Sequence, residues 1–328
     1  SRRQRQMCIR DRLLTVATIV NAQSVTWISS TEGNVWQKSK VKLQSKSEQN
    51  PVLQVDGTEN GVAFKNWGTT FNELCWDALG LLTRTEQDEI LYNIFSPQGD
   101  LRITRGRISM GANDYARSWY SCDEVEGDFE LRYFNINRDK QTIIPFIRAA
   151  QKYNPNLTFW ISPWCPPSWM KINGDYPVLS SPFNSLSEKQ NYLLYGATGG
   201  QVDENEMKLT GARDGVFPRQ LATTDFMIQD PRYLQTYADY FCRFIDAYKE
   251  QGIPIDMVMY QNEAYSYTPY PGCAWTATGT IRFNKEYLAP TLRQMHPEVK
   301  LYLGTFNTNR QDLSLIHISE PTRRRGIS

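Results

Sequence analysis

Residues 257–266 read MVMYQNEAYS, an apolar run that gives way at once to amides and a carboxylate. Residues 257–260 have the length and composition of a short buried strand, and Gln261, Asn262 and Glu263 fall where that strand should stop. Polar groups set at the ends of apolar strands are the pattern of parallel sheets whose sites form along the carboxyl edge. A Glu in that position is a candidate general acid, and acids of this kind work with a second carboxylate across a cleft.

Moving outward, the same pattern recurs at residues 68–73 (GTTFNE), 107–115 (RISMGANDY) and 162–170 (SPWCPPSWM). Each follows an apolar run, within residues 62–71, 101–111 and 157–162, and a fifth run lies at 299–306 (VKLYLGTF). Helical patterns separate the runs. Thr83 or Thr85 is placed to cap one, with Glu86 or Asp88 three residues on. The stretch 139–153 sets Ile143, Ile144, Ile147 and Ala150 on one face, with Pro145 in its first turn or at a kink. Asp230-Pro231 opens a third helix whose stripe is Leu234, Tyr237, Phe241, Phe244, Ile245 and Tyr248, and Gly252 ends it. A fourth is expected from about Asn284. Alternating strands and helices predict an α/β fold with a parallel sheet, here a (β/α)8 TIM barrel truncated after about the fifth strand.

Before this region, residues 25–56 alternate β-branched or aromatic with polar residues, broken by turns at Glu32-Gly33-Asn34 and Asp56-Gly57. They read as a small β module over residues 23–60, with the partial barrel over 61–312. The connection 171–229 is long and rich in Asn, Gly, Ser, Tyr and Asp, which suits either an active-site loop or an insertion.

The ends read differently. Residues 2–11 (RRQRQMCIRD) resemble one frame of a sequencing-library adapter, and residues 313–323 (LSLIHISEPTR) resemble a frame of the opposite one. Residues 1–12 and 313–328 are therefore expected to be adapter-derived rather than a nucleic-acid-binding arm and tail. The whole chain holds 36 Lys and Arg against 35 Asp and Glu. Setting aside eight basic and two acidic residues of the ends leaves 28 against 33, so no basic surface argues for nucleic acid. Only His296 remains of two histidines, which argues against a His-based triad or a multi-His metal site, and it is expected at a helix end. The remaining cysteines, Cys75, Cys122, Cys165, Cys242 and Cys273, show no metal spacing and read as small buried residues with at most one bridge. No cofactor is implied. Residues 13–20 (LLTVATIV), with Val20 and Ala22 at cleavage-site positions, read as the remnant of a secretory signal over 13–22 or else as a first strand. The former implies a secreted or periplasmic protein with no stable membrane insertion.

Glycoside hydrolysis needs an acid, a facing carboxylate, groups that hold hydroxyls, and aromatic faces against sugar. Glu263, Asn262, Arg107, Asp114, Trp164 and Trp169 supply these apart from the facing carboxylate. Taken together, residues 61–309 resemble family 30 of the glycoside hydrolases, which includes glucosylceramidases, endo-β-1,6-glucanases and certain xylanases. The resemblance makes the β module over 23–60 the N-terminal part of the family's side β-domain. SPWCPPSWMK resembles the family's third-strand motif, RISMGANDY its second, and QNEAYS its fourth, with Ala264 where a proline is usual. That replacement is expected to loosen the turn after the acid. The resemblance implies a retaining β-glycoside hydrolase acting on a β-linked glycan or glycoside, with glucosides favoured. It makes Glu263 the general acid/base, Asn262 the partner of the hydroxyl beside the anomeric carbon, and Arg107 the residue that orients the carboxylates. Asp114 would bind hydroxyls farther round the ring, and Trp164 would wall the subsite. Family members take their nucleophile from a Glu ending the seventh strand. After Glu263 this chain offers Glu286, Glu298 and Glu320, none at such a place, so the chain as given is expected to lack its nucleophile and to be inactive. Another reading is a non-catalytic carbohydrate-binding relative.

Overall fold

The computed structural model describes residues 25–41, 65–186, 225–264, 268–303 and 305. The adapter-like ends, the apolar run 13–20, the strand expected at 51–55 and most of the connection 171–229 lie outside the described residues. The chain divides into two units, Ser1–Ala63 and Phe64–Ser328.

In the first unit, β1 (Val25–Thr31) and β2 (Asn34–Val41) form an antiparallel hairpin that pairs Trp27 with Ser39 and Ser29 with Gln37. The turn holds Gly33 at φ +81°, a left-handed backbone conformation that L side chains rarely adopt and glycine adopts freely.

In the second unit, five strands lie side by side in chain order, and every pair is parallel. They are β3 (Gly68–Phe71), β4 (Arg105–Ser109), β5 (Thr158–Ser162), β6 (Ile255–Met259) and β7 (Lys300–Tyr302). Between them run α1 (Glu73–Gly80), α2 (Arg84–Phe95), α3 (Ile143–Gln151) and α4 (Pro231–Glu250). α5 (Ala277–Arg282) and α6 (Ala289–Met295) precede β7. Consecutive parallel neighbours joined by helices are the repeating unit of an α/β barrel.

Local chemistry accounts for the helix ends. Thr83 rather than Thr85 opens α2 with a complete capping box: its Oγ1 accepts from Glu86 N, and its own N donates to Glu86 Oε2 at 2.8 Å. Asp230 caps α4 by accepting from Arg232 N at 2.8 Å, with Pro231 as the first helical residue. The stripe from Leu234 to Tyr248 is buried as its spacing requires, and Gly252 follows at φ +72°. Pro145 is the third residue of α3, where its missing N–H leaves no helical bond unmade.

The helix expected from Asn284 starts seven residues earlier. Thr276 caps it by accepting from Gly279 N at 2.9 Å, and the path passes through a π-helical turn, Phe283–Leu288, into α6. Pro290 cannot donate a backbone hydrogen bond, and widening the preceding turn relieves the resulting mismatch.

One face of the sheet packs on the helices. Phe71 lies 5.7 Å from Phe95, 4.7 Å from Phe146 and 6.0 Å from Phe159 between ring centroids. Gly106 leaves room for this cluster, since a Cβ there would come within 2.6 Å of Phe71 and 2.8 Å of Phe159. Cys122, Cys165, Cys242 and Cys273 are buried free thiols, whereas Cys75 is exposed. His296 ends α6, buried, with Asp246 at 3.4 Å and Glu298 at 3.9 Å.

Candidate active site at the carboxyl ends of the strands

Strand alternation turns Gly106 and Ile108 of β4 into the helix-covered core and leaves Arg105 and Arg107 on the other face. Arg105 pairs there with Asp256. Arg107, one pleat nearer the carboxyl end, donates from Nε (3.0 Å) and Nη2 (2.7 Å) to Ser162 Oγ at the end of β5. Nη2 also donates to Asn262 Oδ1 at 2.6 Å, beyond the end of β6. The guanidinium carbon lies 4.1 Å from the ring centroid of Trp164 and 4.7 Å from that of Trp160, within cation–π range of both. Burial draws the Arg107 pKa down to about 10, while the charges of Glu263 and Asp114 oppose the shift. The side chain therefore stays cationic at neutral pH, and both carboxylates lie within its field.

The acid segment is held from three sides. Asn262 N donates to Pro163 O at 2.8 Å, and Glu263 N donates to Thr305 O at 2.9 Å. Gln261, fully buried, donates from Nε2 to Trp164 O at 2.7 Å and accepts from Trp275 Nε1 at 3.3 Å. Glu263 itself has φ +45°, a left-handed conformation uncommon outside glycine, and strain of that kind concentrates at functional positions. Ala264 is buried, and its carbonyl accepts from Trp275 N at 2.8 Å. The turn expected to be loosened there runs on through residues 265–267, which lie outside the described residues.

Asp114 is exposed on the loop after β4, and Tyr270 enters from the loop after β6. Burial raises the Tyr270 pKa, and the charges of Asp114 and Glu263 raise it further, so its phenol shares their surroundings. Trp169 does not join them. It is 1% exposed, donates from Nε1 to Asp123 O at 3.0 Å and packs against Phe129 and Tyr233, which makes it a core residue. Trp164 is buried too, at 7% exposed, with one ring face under Arg107.

Residues 64–181 match the family described as Glycosyl hydrolase family 30 TIM-barrel domain. This match places residues 64–181 in glycosyl hydrolase family 30. It is 27% identical over 299 residues to putative glucosylceramidase 3 of Caenorhabditis elegans, covering 87% of this chain and 48% of that protein. It is 24% identical over 269 residues to an endo-1,6-β-D-glucanase of Aspergillus fumigatus, covering 80% of this chain and 48% of that one. The chain spans about half the length of these curated relatives. Among solved structures, an endo-β1,6-glucanase superposes with a TM-score of 0.61 at 19% identity, covering 92% of this chain and 58% of that one. SrfJ from Salmonella typhimurium gives 0.60 at 19%, covering 86% and 53%. At such identity these two speak for the fold, and the five parallel strands are part of a TIM barrel.

At the carboxyl edge of the sheet, the structure brings Arg107, Asn262, Glu263, Asp114 and Trp164 together from three strand ends. Sequence reasoning missed Ser162, Gln261, Tyr270 and Thr305. Ser162 and Gln261 stand inside the quoted motifs, and Thr305 lies in the fifth apolar run, but only the sheet's register puts them beside Arg107 and the acid. Glu286 pairs with Arg282 at 3.8 Å in the π-helical turn, and Glu298 sits beside His296 before β7 begins. Neither is at a carboxyl strand end. No described helix is long and apolar enough to cross a membrane.

Proposed function

We propose that the complete protein hydrolyses β-glycosidic bonds with retention, using Glu263 as general acid and then as general base. The supporting observation is the convergence on Arg107: Asn262 by a hydrogen bond, Glu263 and Asp114 by charge, at the carboxyl ends of adjacent strands. Protonated Glu263 gives its proton to the departing glycosidic oxygen while a carboxylate nucleophile attacks the anomeric carbon. The resulting carboxylate then takes a proton from the water that releases the sugar. Because Asn262 Oδ1 already accepts from Arg107 and Thr305 Oγ1, the amide's donor side is the one left for the hydroxyl beside the anomeric carbon. Arg107 fixes that amide, Trp164 fixes the plane of Arg107, and Asp114 accepts from hydroxyls farther round the ring.

Retention requires a nucleophile about 5–5.5 Å from the acid. Among the described residues after Glu263, the only other glutamates, Glu286 and Glu298, stand away from the site, so residues 23–312 on their own are expected to be inactive. The names of the relatives favour β-glucosides, either glucosylceramide-like or β-1,6-glucan. The apolar run 13–20 favours export, to the periplasm or outside the cell.

The test is hydrolysis of 4-nitrophenyl β-glucoside and of β-1,6-glucan by the complete gene product, with NMR of the first-formed anomer. Glu263→Gln should lower kcat by about a thousandfold, within the range for a lost general acid, and the first product should be the β-anomer. Unchanged turnover in Glu263→Gln, or an α-anomer product, would refute the reading. Sugar binding without hydrolysis by the complete protein would make it a carbohydrate-binding relative instead.

A further inference from the structure

Asp114 is exposed on a loop with bonds of its own: Asn113 Oδ1 accepts from Tyr115 N at 2.8 Å, Asn113 O accepts from Ala116 N at 3.3 Å, and Ala112 N donates to Tyr120 O at 2.8 Å. The loop is anchored sideways, on the first turn of α1. Leu74 N donates to Tyr115 O at 3.1 Å, and Arg117 N donates to Glu73 Oε2 at 2.8 Å. Glu73 is 2% exposed, and its carboxylate also takes Arg138 Nε (2.9 Å), Arg138 Nη2 (2.6 Å) and Thr142 Oγ1 (3.2 Å). Arg138 in turn donates to Ser118 Oγ (2.8 Å) and to Ser118 O (2.9 Å). The guanidinium of Arg117 closes the arrangement through both nitrogens on Asp77, one turn along α1. The bonds to Tyr115 O, Arg117 and Ser118 hold residues 115–118, directly after Asp114, and those from Arg138 and Thr142 hold the Glu73 carboxylate itself.

Such a cluster could serve stability alone. Its arrangement points further, because a buried carboxylate accepts from the backbone N–H of Arg117 in an exposed loop and holds the Arg138 guanidinium that binds Ser118 of the same loop. Burial would raise the Glu73 pKa, but Arg138, the Arg117 N–H and Thr142 draw it below the usual range, so the carboxylate is ionised and accepts from every donor around it.

We propose that Glu73, backed by Asp77 through Arg117, is the positioning residue for Asp114, holding its carboxylate where sugar hydroxyls are received. This rests on the reading of the site as a glycosidase subsite. Glu73 touches no substrate in this scheme, and its effect passes entirely through the Asp114 loop.

The experiment is a double-mutant cycle in the complete protein, with 4-nitrophenyl β-glucoside as probe and the thermal midpoint measured alongside. Glu73→Gln should lower kcat/KM by about tenfold, mostly through KM, since misplacing a binding group by a fraction of an ångström is costly. In an Asp114→Asn background the same substitution should cost less than about twofold, because nothing remains to be positioned. Asp77→Asn, at a partly exposed site, should show the same pattern more weakly and covers the case in which Glu73→Gln does not fold. An equal fold-loss in both backgrounds, or unchanged kinetics in both single variants, overturns the proposal. If those results come with activity lost in Glu263→Gln, the positioning role alone falls. Activity that survives Glu263→Gln removes the glycosidase reading and this proposal with it.

Discussion

Arg107 and Asn262 stand 155 positions apart in the chain, yet Nη2 of one lies 2.6 Å from Oδ1 of the other. The bond crosses β5, which lies between β4 and β6, and Ser162 at the end of that middle strand accepts from the same guanidinium. One planar cation thus ties three strand ends together and sets the plane of the amide beside the proposed acid.

Replacing Arg107 by Lys keeps the charge and removes the geometry. A lysine cannot lie flat on Trp164 while donating to both Ser162 and Asn262, because its ammonium is a point charge on a flexible stem. The complete protein should lose about a hundredfold in kcat/KM, since a site residue displaced by an ångström has effects of that size. Its thermal midpoint should fall too, because buried ties between three strand ends are lost, so the kinetics are measured well below it. Kinetics within threefold of the parent would mean that charge alone is what Arg107 supplies.

Asp139 predicts a pH dependence of stability. It is fully buried, accepts from Tyr120 Oη at 2.7 Å and Tyr248 Oη at 2.6 Å, and faces Glu73 and Arg138. Burial pushes its pKa up to about 6, against the pull of the two phenols. A carboxyl whose folded pKa exceeds its unfolded value stabilises the fold most when protonated, so that contribution is complete below about pH 4 and lost as pH rises through 6. The two-unit difference corresponds to roughly 3 kcal/mol. Denaturant unfolding between pH 4 and 6.5 should show the decline, and Asp139→Asn should flatten most of it. Asp123, whose pKa burial and the neighbouring Asp128 push upward, should leave a residual slope of the same sign. A parent protein equally stable at both ends of that range would refute the assignment.

The parallel strands and the long helices were legible because their signals are local. The period-3.6 stripe of α4, its Asp-Pro start and the capping box at Thr83 each lie within a few neighbouring residues. The start of α5 was not legible, since Thr276 and the residues after it (ATGT) read as a loop until Asp225, remote in sequence, is seen to accept from Thr276 N. Trp169 was misread for a related reason. Its motif carries two tryptophans, and only the Asp123 carbonyl and the rings of Phe129 and Tyr233 decide which is core. The anchoring of Asp114 was invisible because Glu73 and Arg138 are 65 positions apart.

Thr83→Ala tests the cap of α2. The substitution frees the N–H of Glu86 and releases the Glu86 carboxylate from the Thr83 hydroxyl, leaving the Thr83 N–H bond without its partner half of the box. The cost should be about 1 kcal/mol in unfolding free energy. Thr85→Ala serves as the control and should be near neutral, since Thr85 is already inside the helix. Equal losses in the two variants would reassign the cap.

Gly106→Ala links the core to the site. The added methyl meets Phe71 and Phe159 at 2.6 and 2.8 Å, atoms of rings already packed against Phe95 and Phe146, so neither ring can simply turn away. Overpacking of this kind costs about 1–3 kcal/mol. The strain has a second outlet through the backbone, because Arg107 is the next residue along β4 and points to the opposite face. If β4 yields rather than the rings, the guanidinium shifts relative to Ser162 and Asn262. Activity of the complete protein should then fall by more than the folded fraction explains. Denaturation curves and kcat/KM measured well below the midpoint separate the two responses. Lost stability with full activity would place the adjustment in Phe71 and Phe159, and no loss of either would show that this layer is looser than its contacts imply.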